Sequence, residues 1–303
     1  MKRRHKRYPK HDSFLFRIRT KKILLRALLI TNLELKIILK NGNNNYRKII
    51  NNGRVCQVPI NRENGASLYK LHARIANLLS SIETPEYLFS SSRGKGYIDN
   101  ARFHLENCNK RMVKLDIKKF FPSVKFSHII NFFKKSMECS HDVSTILAKL
   151  IVFNDFLPTG SPLSDRVSYF AHQDMFDEIN KKAGDLGCKM SLWVDDIVIS
   201  GNKAQEASWE ARKIIHNRGL EYHKKDKLKE YLPNNNKEIT GVIVTSNGEF
   251  KLRNRSHKKI YLLKNQRNKD FQEIAQLRGC IIESRAIFKQ NKQDHISLPT
   301  PLS

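Results

Sequence analysis

Three aspartates are placed where they could do chemistry. Asp195 and Asp196 stand side by side in SLWVDDIVISG (191–201), an otherwise apolar, β-prone run, and Asp116 ends the apolar strand pattern of VKLDIKKFF (113–121). A buried carboxylate needs a hydrogen bond, a cation or a metal. Successive strand residues point to opposite faces, so neighbouring carboxylates converge only where the strand turns. A single aspartate in a turn commonly bonds its own backbone, and Asp116 taken alone fits that reading as well as it fits a ligand. The pair is different. A two-residue hairpin prefers Asn-Gly or Asp-Gly, so an Asp-Asp tip carries strain and repulsion, the mark of a functional turn. Magnesium is the matching cation: it takes carboxylate oxygens at about 2.0–2.1 Å and keeps positions for water and phosphates. Two such ions about 3.5–4 Å apart activate an attacking hydroxyl and stabilise a leaving pyrophosphate.

The surroundings of these acids are basic. The 303 residues carry 56 Lys and Arg against 29 Asp and Glu, a net charge of +27, far beyond what solubility needs. Such a surface suits a polyanion, with nucleic acid the first choice. Five scattered cysteines (Cys56, Cys108, Cys139, Cys188, Cys280) with no CxxC pair fit a reducing cytosol rather than a disulfide or zinc framework. The basic start, MKRRHKRYPKHDSF, precedes an apolar run interrupted by Arg26, Glu34 and Lys36. No stretch reaches the roughly 18 uninterrupted apolar residues of a spanning helix. The pattern predicts one amphipathic helix from Ile23 to about Lys40, packed on its own domain.

Several elements must position the acids. Asn-Gly turns between β-branched runs in NGNNNYRKIINNGRVCQVPI predict a hairpin, and Leu68, Leu71, Ile75, Leu78 and Leu79 mark a helix. After Met112 come a strand ending at a Phe-Phe-Pro corner, helices, two strands flanking the Asp pair, the amphipathic helix of ASWEARKIIHNRGL, and a hairpin signal in EITGVIVTSNGEFKL. The last fifty residues are basic and helical in pattern. This order predicts a split βαβ, ferredoxin-like core of the α+β class.

VKLDIKKFFPS, LPTGSPLS and LWVDDIVIS occur in the order and rough spacing of the reverse-transcriptase palm motifs, and the chain resembles a bacterial retron reverse transcriptase. NARFH (Asn100 to His104) is similar to the retron Asn-Ala-x-x-His element. EITGVIV is similar to its Val-Thr-Gly element, with Ile239 in place of Val, and LRGCIIESRAIF to its Leu-x-Gly thumb helix. The resemblance implies a right-hand polymerase, with an N-terminal arm and fingers over 1–110 (and 124–153), a ferredoxin-like palm over 111–245 and a helical thumb over 246–303. It implies that Asp116, Asp195 and Asp196 hold two magnesium ions, with the Ile117 main-chain carbonyl as a further ligand. Phe121 falls at the aromatic gate that selects deoxynucleotides, with Phe120 as the core alternative. Arg54 falls on the incoming triphosphate, where its fork suits phosphate, and Gly160 lets the backbone approach the nascent base pair. Trp193 stands where Tyr is usual, Thr159 where Gln is usual and Asp165 where Pro is usual. In GLEYHKKDKL the family's Asn is His223 and its lysine falls on Asp226, leaving Lys225 as the choice for protonating pyrophosphate.

The same resemblance implies the partners: deoxynucleotides, a cognate structured non-coding RNA, the RNA-linked single-stranded DNA (msDNA) copied from it, and a separate effector protein in anti-phage defence. The setting is the bacterial cytoplasm, with no membrane partner. Asn100, His104, Thr240 and Gly241 fall in the elements expected to recognise that RNA. Arg253, Arg255, Lys258 and Lys259 in KLRNRSHKK, with Lys2, Arg3, Arg4, Lys6 and Arg7 of the arm, would grip phosphates. The arm equally fits a solvated tail. Two alternatives stay open: another defence or group II intron-like reverse transcriptase, and a non-catalytic RNA-binding scaffold with a palm fold.

Overall fold

The computed structural model describes residues 7–51, 53–224, 227–266 and 268–294; Lys2, Arg3, Arg4, Lys6 and Lys225 lie outside them. The chain forms two compact units that alternate along the sequence. The first comprises Met1–Gly94, Ile117–Ile179 and Lys213–His223, and the second Lys95–Asp116, Asn180–Arg212 and Lys224–Ser303. Among the described residues no helix is long and apolar enough to cross a membrane.

In the first unit the expected Ile23–Lys40 helix is two helices, Lys21–Leu28 and Asn32–Asn41. The break has a local cause. Leu29 takes the left-handed conformation that ends the first helix, and Thr31 with Glu34 forms a capping box that starts the second. Leu24, Ala27 and Leu28 of the first helix and Leu35 and Ile38 of the second are buried. Strands β1 (Tyr46–Asn51) and β2 (Arg54–Pro59) form the expected hairpin, paired from Tyr46↔Pro59 to Asn51↔Arg54. Helix Leu68–Ser80 buries Leu68, Leu71, Ile75, Leu78 and Leu79, the positions its periodicity marked.

The second unit holds the sheet that matters for chemistry. Strands β3 (Met112–Asp116), β4 (Lys189–Trp193), β5 (Asp196–Ser200) and β6 (Lys229–Tyr231) lie in the order β4-β5-β3-β6, with every neighbour antiparallel. β3 and β4 therefore run parallel with β5 between them, and β5 and β6 run parallel with β3 between them. These are two interlocked split βαβ units, the ferredoxin-like arrangement expected. Val113, Leu115, Met190, Leu192, Ile197 and Ile199 line one face and are all buried. The opposite face carries Asp116, Asp196 and Trp193 at one end.

Strands β7 (Lys237–Ile239), β8 (Val242–Val244) and β9 (Phe250–Leu252) form an antiparallel meander. Ile239, Val242, Val244, Phe250 and Leu252 share a core with Ala101, Met112, Val198 and Ile287. Lys237 is fully buried, and its ammonium donates to the main-chain carbonyls of Cys108, Pro233 and Asn235, satisfying a charge that would otherwise be orphaned. Helices Asn254–Asn265 and Phe271–Asp294 complete the unit.

Candidate active site

The register of the sheet brings the acids together. Asp116 ends β3 and Asp196 begins β5, and they are direct cross-strand partners, a position that sets Cβ atoms about 4.5–5.5 Å apart. Asp195 belongs to the turn joining β4 to β5. That turn corrects the sequence expectation by one residue. Trp193 pairs with Asp196, so the two-residue tip is Val194–Asp195 and not Asp195–Asp196. Its strain falls on Val194, whose φ of 59° is a left-handed value hostile to a β-branched residue.

Two lysines already answer these charges. Lys227 Nζ donates to both oxygens of Asp116 at 2.8 Å, and Lys114 Nζ lies 2.8 Å from Asp196 Oδ2. Even so, burial first and then the charges of Asp116 and Asp196 push the Asp195 carboxyl up to about 6. Burial also raises the Asp196 carboxyl, against the lowering effect of Lys114. Asp195 is thus a carboxylate short of positive charge. Among the described residues no three His, Cys, Asp or Glu side chains form a ready-made metal cage. The hard oxygen donors and the unbalanced negative charge nonetheless fit magnesium, which keeps several waters and substrate oxygens rather than requiring a full protein shell. Lys114 lay within sequence reach: it stands two residues before Asp116, on the same face of one strand. Lys227 carried no such signal, because its reach depends on a loop.

The other nucleotide-site expectations fall in the first unit. Phe120 is 3% exposed and packs on His172 and Phe176, so it is the core ring, while Phe121 is partly exposed. Arg54 is exposed at the start of β2. Gly160 has a packing reason for being glycine. Its N–H donates to the Gln57 carbonyl at 3.0 Å, and a Cβ there would sit 2.6 Å from Val58 Cγ2 and 2.8 Å from Gln57 O. Thr159 adds a hydrogen bond to Gln57 Oε1 at 3.0 Å. The following Ser161 is held by buried His72, whose other ring nitrogen meets the Leu150 carbonyl; both distances are 2.7 Å. Gly160→Ala should therefore lower stability by about 1–2 kcal/mol through overpacking, measured as a lower urea midpoint. Ile117 is fully buried and bridges Tyr222. Asp165, where Pro is usual, accepts a hydrogen bond from Ser91.

Asn100 and His104, which fall in the expected RNA-recognition element, are both 0% exposed and so are interior residues of the fold. Asn100 Nδ2 reaches Thr240 Oγ1 at 3.5 Å, and that hydroxyl donates to the Tyr97 carbonyl at 2.8 Å. NARFH and ITG, far apart in sequence, are therefore one structural junction. Thr240 and Gly241 form the tight turn between β7 and β8, with φ of 44° and 93°. The Arg253 guanidinium lies over Gly241, where an added Cβ would meet it at 3.2 Å. Arg255, Lys258 and Lys259 are exposed, and Arg255 is 3.8 Å from Glu238.

A split βαβ sheet with three carboxylates at the end of its central strands is the palm of the right-hand polymerases. The chain belongs to the reverse transcriptase (RNA-dependent DNA polymerase) family, whose model matches residues 38–243. Among curated proteins it is 31% identical over 144 residues to the Retron Se72 reverse transcriptase of Salmonella heidelberg, covering 46% of this chain and 37% of that one. It is 26% identical to the Retron Ec73 reverse transcriptase of Escherichia coli, covering 42% of this chain and 43% of that one. To the Retron Ec86 reverse transcriptase of Escherichia coli it is 22% identical, covering 56% and 53%. The chain thus matches about half or less of these relatives' length. A solved foamy viral protease–reverse transcriptase in complex with double-stranded DNA aligns at a TM-score of 0.44 and 14% identity, covering 78% of this chain and 35% of that one.

Proposed function

We propose that this chain is a retron-type RNA-directed DNA polymerase that copies part of a cognate structured RNA into RNA-linked single-stranded DNA. The observation that carries the reading is the cross-strand pairing of Asp116 with Asp196, with Asp195 on the adjoining turn and its carboxyl raised to about 6. Three acids held together in a chain of net charge +27 are costly unless a cation and a phosphate substrate use them.

The reaction is attack of a primer hydroxyl on the α-phosphate of a deoxynucleotide, with pyrophosphate leaving. Two magnesium ions bound by Asp116, Asp195, Asp196 and the Ile117 carbonyl would supply charge stabilisation at the attacking and leaving oxygens. The chain's own residues do the positioning. The antiparallel register fixes Asp116 against Asp196, and Lys114 and Lys227 hold those carboxylates in orientation. Phe121 offers a partly exposed ring to exclude a 2′-hydroxyl, and Arg54 an exposed guanidinium for the triphosphate. Gly160 draws its loop tight against β2. Arg255, Lys258 and Lys259 supply exposed positive charge for phosphates. Lys225, outside the described residues, remains the candidate proton donor to pyrophosphate, and a separate effector protein and a role in anti-phage defence complete the reading.

The test is extension of a DNA primer on an RNA template by purified protein with deoxynucleotides. DNA synthesis with magnesium, lost in EDTA and weak with ribonucleotides, is the expected result. Tight RNA binding with no synthesis under any of these conditions would overturn the reading and leave a binding scaffold.

A further inference from the structure

His104 lies in the second unit with 0% exposure, and neither Asp116, Asp195 nor Asp196 is among its hydrogen-bond partners here. Its ring spans the hairpin that carries the acids. Nδ1 is 2.7 Å from Ser200 Oγ on β5, and Nε2 is 2.8 Å from Ser191 Oγ on β4. Asn107 Nδ2 donates to the Ser200 hydroxyl and carbonyl, both at 3.1 Å. Both serines are 0% exposed, in strands whose other buried residues are Met, Leu, Ile and Val. Serine adds little to a buried strand except a hydroxyl, and each hydroxyl here is spent on the same imidazole. Burial keeps that ring neutral, so one nitrogen donates and the other accepts, addressing both strands at once.

The other end of the hairpin explains the need. Its tip is a two-residue turn with Val194 at φ 59°, a conformation that persists only when its surroundings over-determine it. A one-residue slip of β5 against β3 would turn Asp196 to the opposite face of the sheet, away from Asp116, and a slip of β4 against β5 would change the turn that carries Asp195. We propose that His104 is a positioning residue: by bonding Ser191 and Ser200 together it locks the β4–β5 register, and with it the turn that holds Asp195 beside Asp196.

This rests on the polymerase reading above, and its test separates the two. Single-turnover extension and amide hydrogen exchange are measured for the wild type, His104→Ala, His104→Gln, Ser191→Ala and Ser200→Ala. His104→Ala should lower the maximal rate about 100-fold, the scale of a misplaced reacting group, while the deoxynucleotide KM stays within about twofold. Exchange over Lys189–Ser200 should quicken about tenfold or more, and that of the β7–β9 meander should not. Gln, with a donor and an acceptor on one side chain, should restore much of the rate. If His104→Ala does not fold, the two serine variants each remove one bond and carry the same comparison. Unchanged β4–β5 exchange, or a rate loss matched only by loss of folded protein, would overturn the assignment. A wild type that makes no DNA would defeat the polymerase reading, and the exchange comparison would still decide the clamp.

Discussion

Asp195→Asn and Asp196→Asn each lower RNA-templated primer extension by at least about 1,000-fold, the scale of losing a preorganised electrostatic group in a dry site, and leave the fold intact. The substitution keeps shape and removes charge. Asn fits the same space, so β4, β5 and the turn are not repacked, and a near-wild-type circular dichroism spectrum accompanies the lost activity. The two variants differ in what they leave behind. Asp196→Asn deprives Lys114 of its partner, and that lysine side chain is only 20% exposed, so some stability is lost with the rate. Lys114 is bonded to Asp196 and Lys227 to Asp116, which makes Asp195→Asn the cleaner test. An Asp195→Asn protein that extends primers at more than about a tenth of the wild-type rate would separate the carboxylates from catalysis.

The second large effect is on stability, and its sign is opposite. In metal-free buffer, Asp195→Asn is more stable than the wild type by about 2–3 kcal/mol at pH 8, from a carboxyl moved from 3.8 to about 6. A carboxyl raised on folding is protonated more readily in the folded state. Its penalty is therefore full above pH 6, shrinks as pH falls through about 6, and is gone below the unfolded value of 3.8. The wild type alone does not show this cleanly. His72 and His172, lowered to about 4 by burial, and His104, lowered to about 3, each lose stability as pH falls below 6.5. The difference between variant and wild type cancels them. Urea midpoints measured in EDTA from pH 8 to pH 4.5 should show a gap that holds down to about pH 6 and narrows below it, and a gap constant over the whole range would place Asp195 at an ordinary carboxyl value.

Much of the site could be read from residue types alone. An Asp pair between apolar runs, and a third Asp ending an apolar strand, identified the acids, because β-strand periodicity and the cost of burying charge are local rules. The ferredoxin-like order was legible for the same reason. Three things were not. The turn lay one residue earlier than expected, because register is set by the pairing of Trp193 with Asp196 and not by where charge accumulates. The N-terminal helix split at Leu29, since a capping box at Thr31 and Glu34 outweighs continuous apolar spacing. The burial of His104 and Asn100, placed by a five-residue motif in an RNA-recognition element, was not legible either, because a motif records which residues occur together and not which way they face. The bonds from His104 to Ser191 and Ser200, 87 and 96 residues away, carry no local signal at all.

The most direct measurement is on nucleic acid that copurifies with the protein expressed from its own locus, treated with RNase or DNase, beside the Asp195→Asn variant. The account predicts a short DNA that survives RNase, is destroyed by DNase and is absent from the variant. RNA alone in both preparations would contradict it.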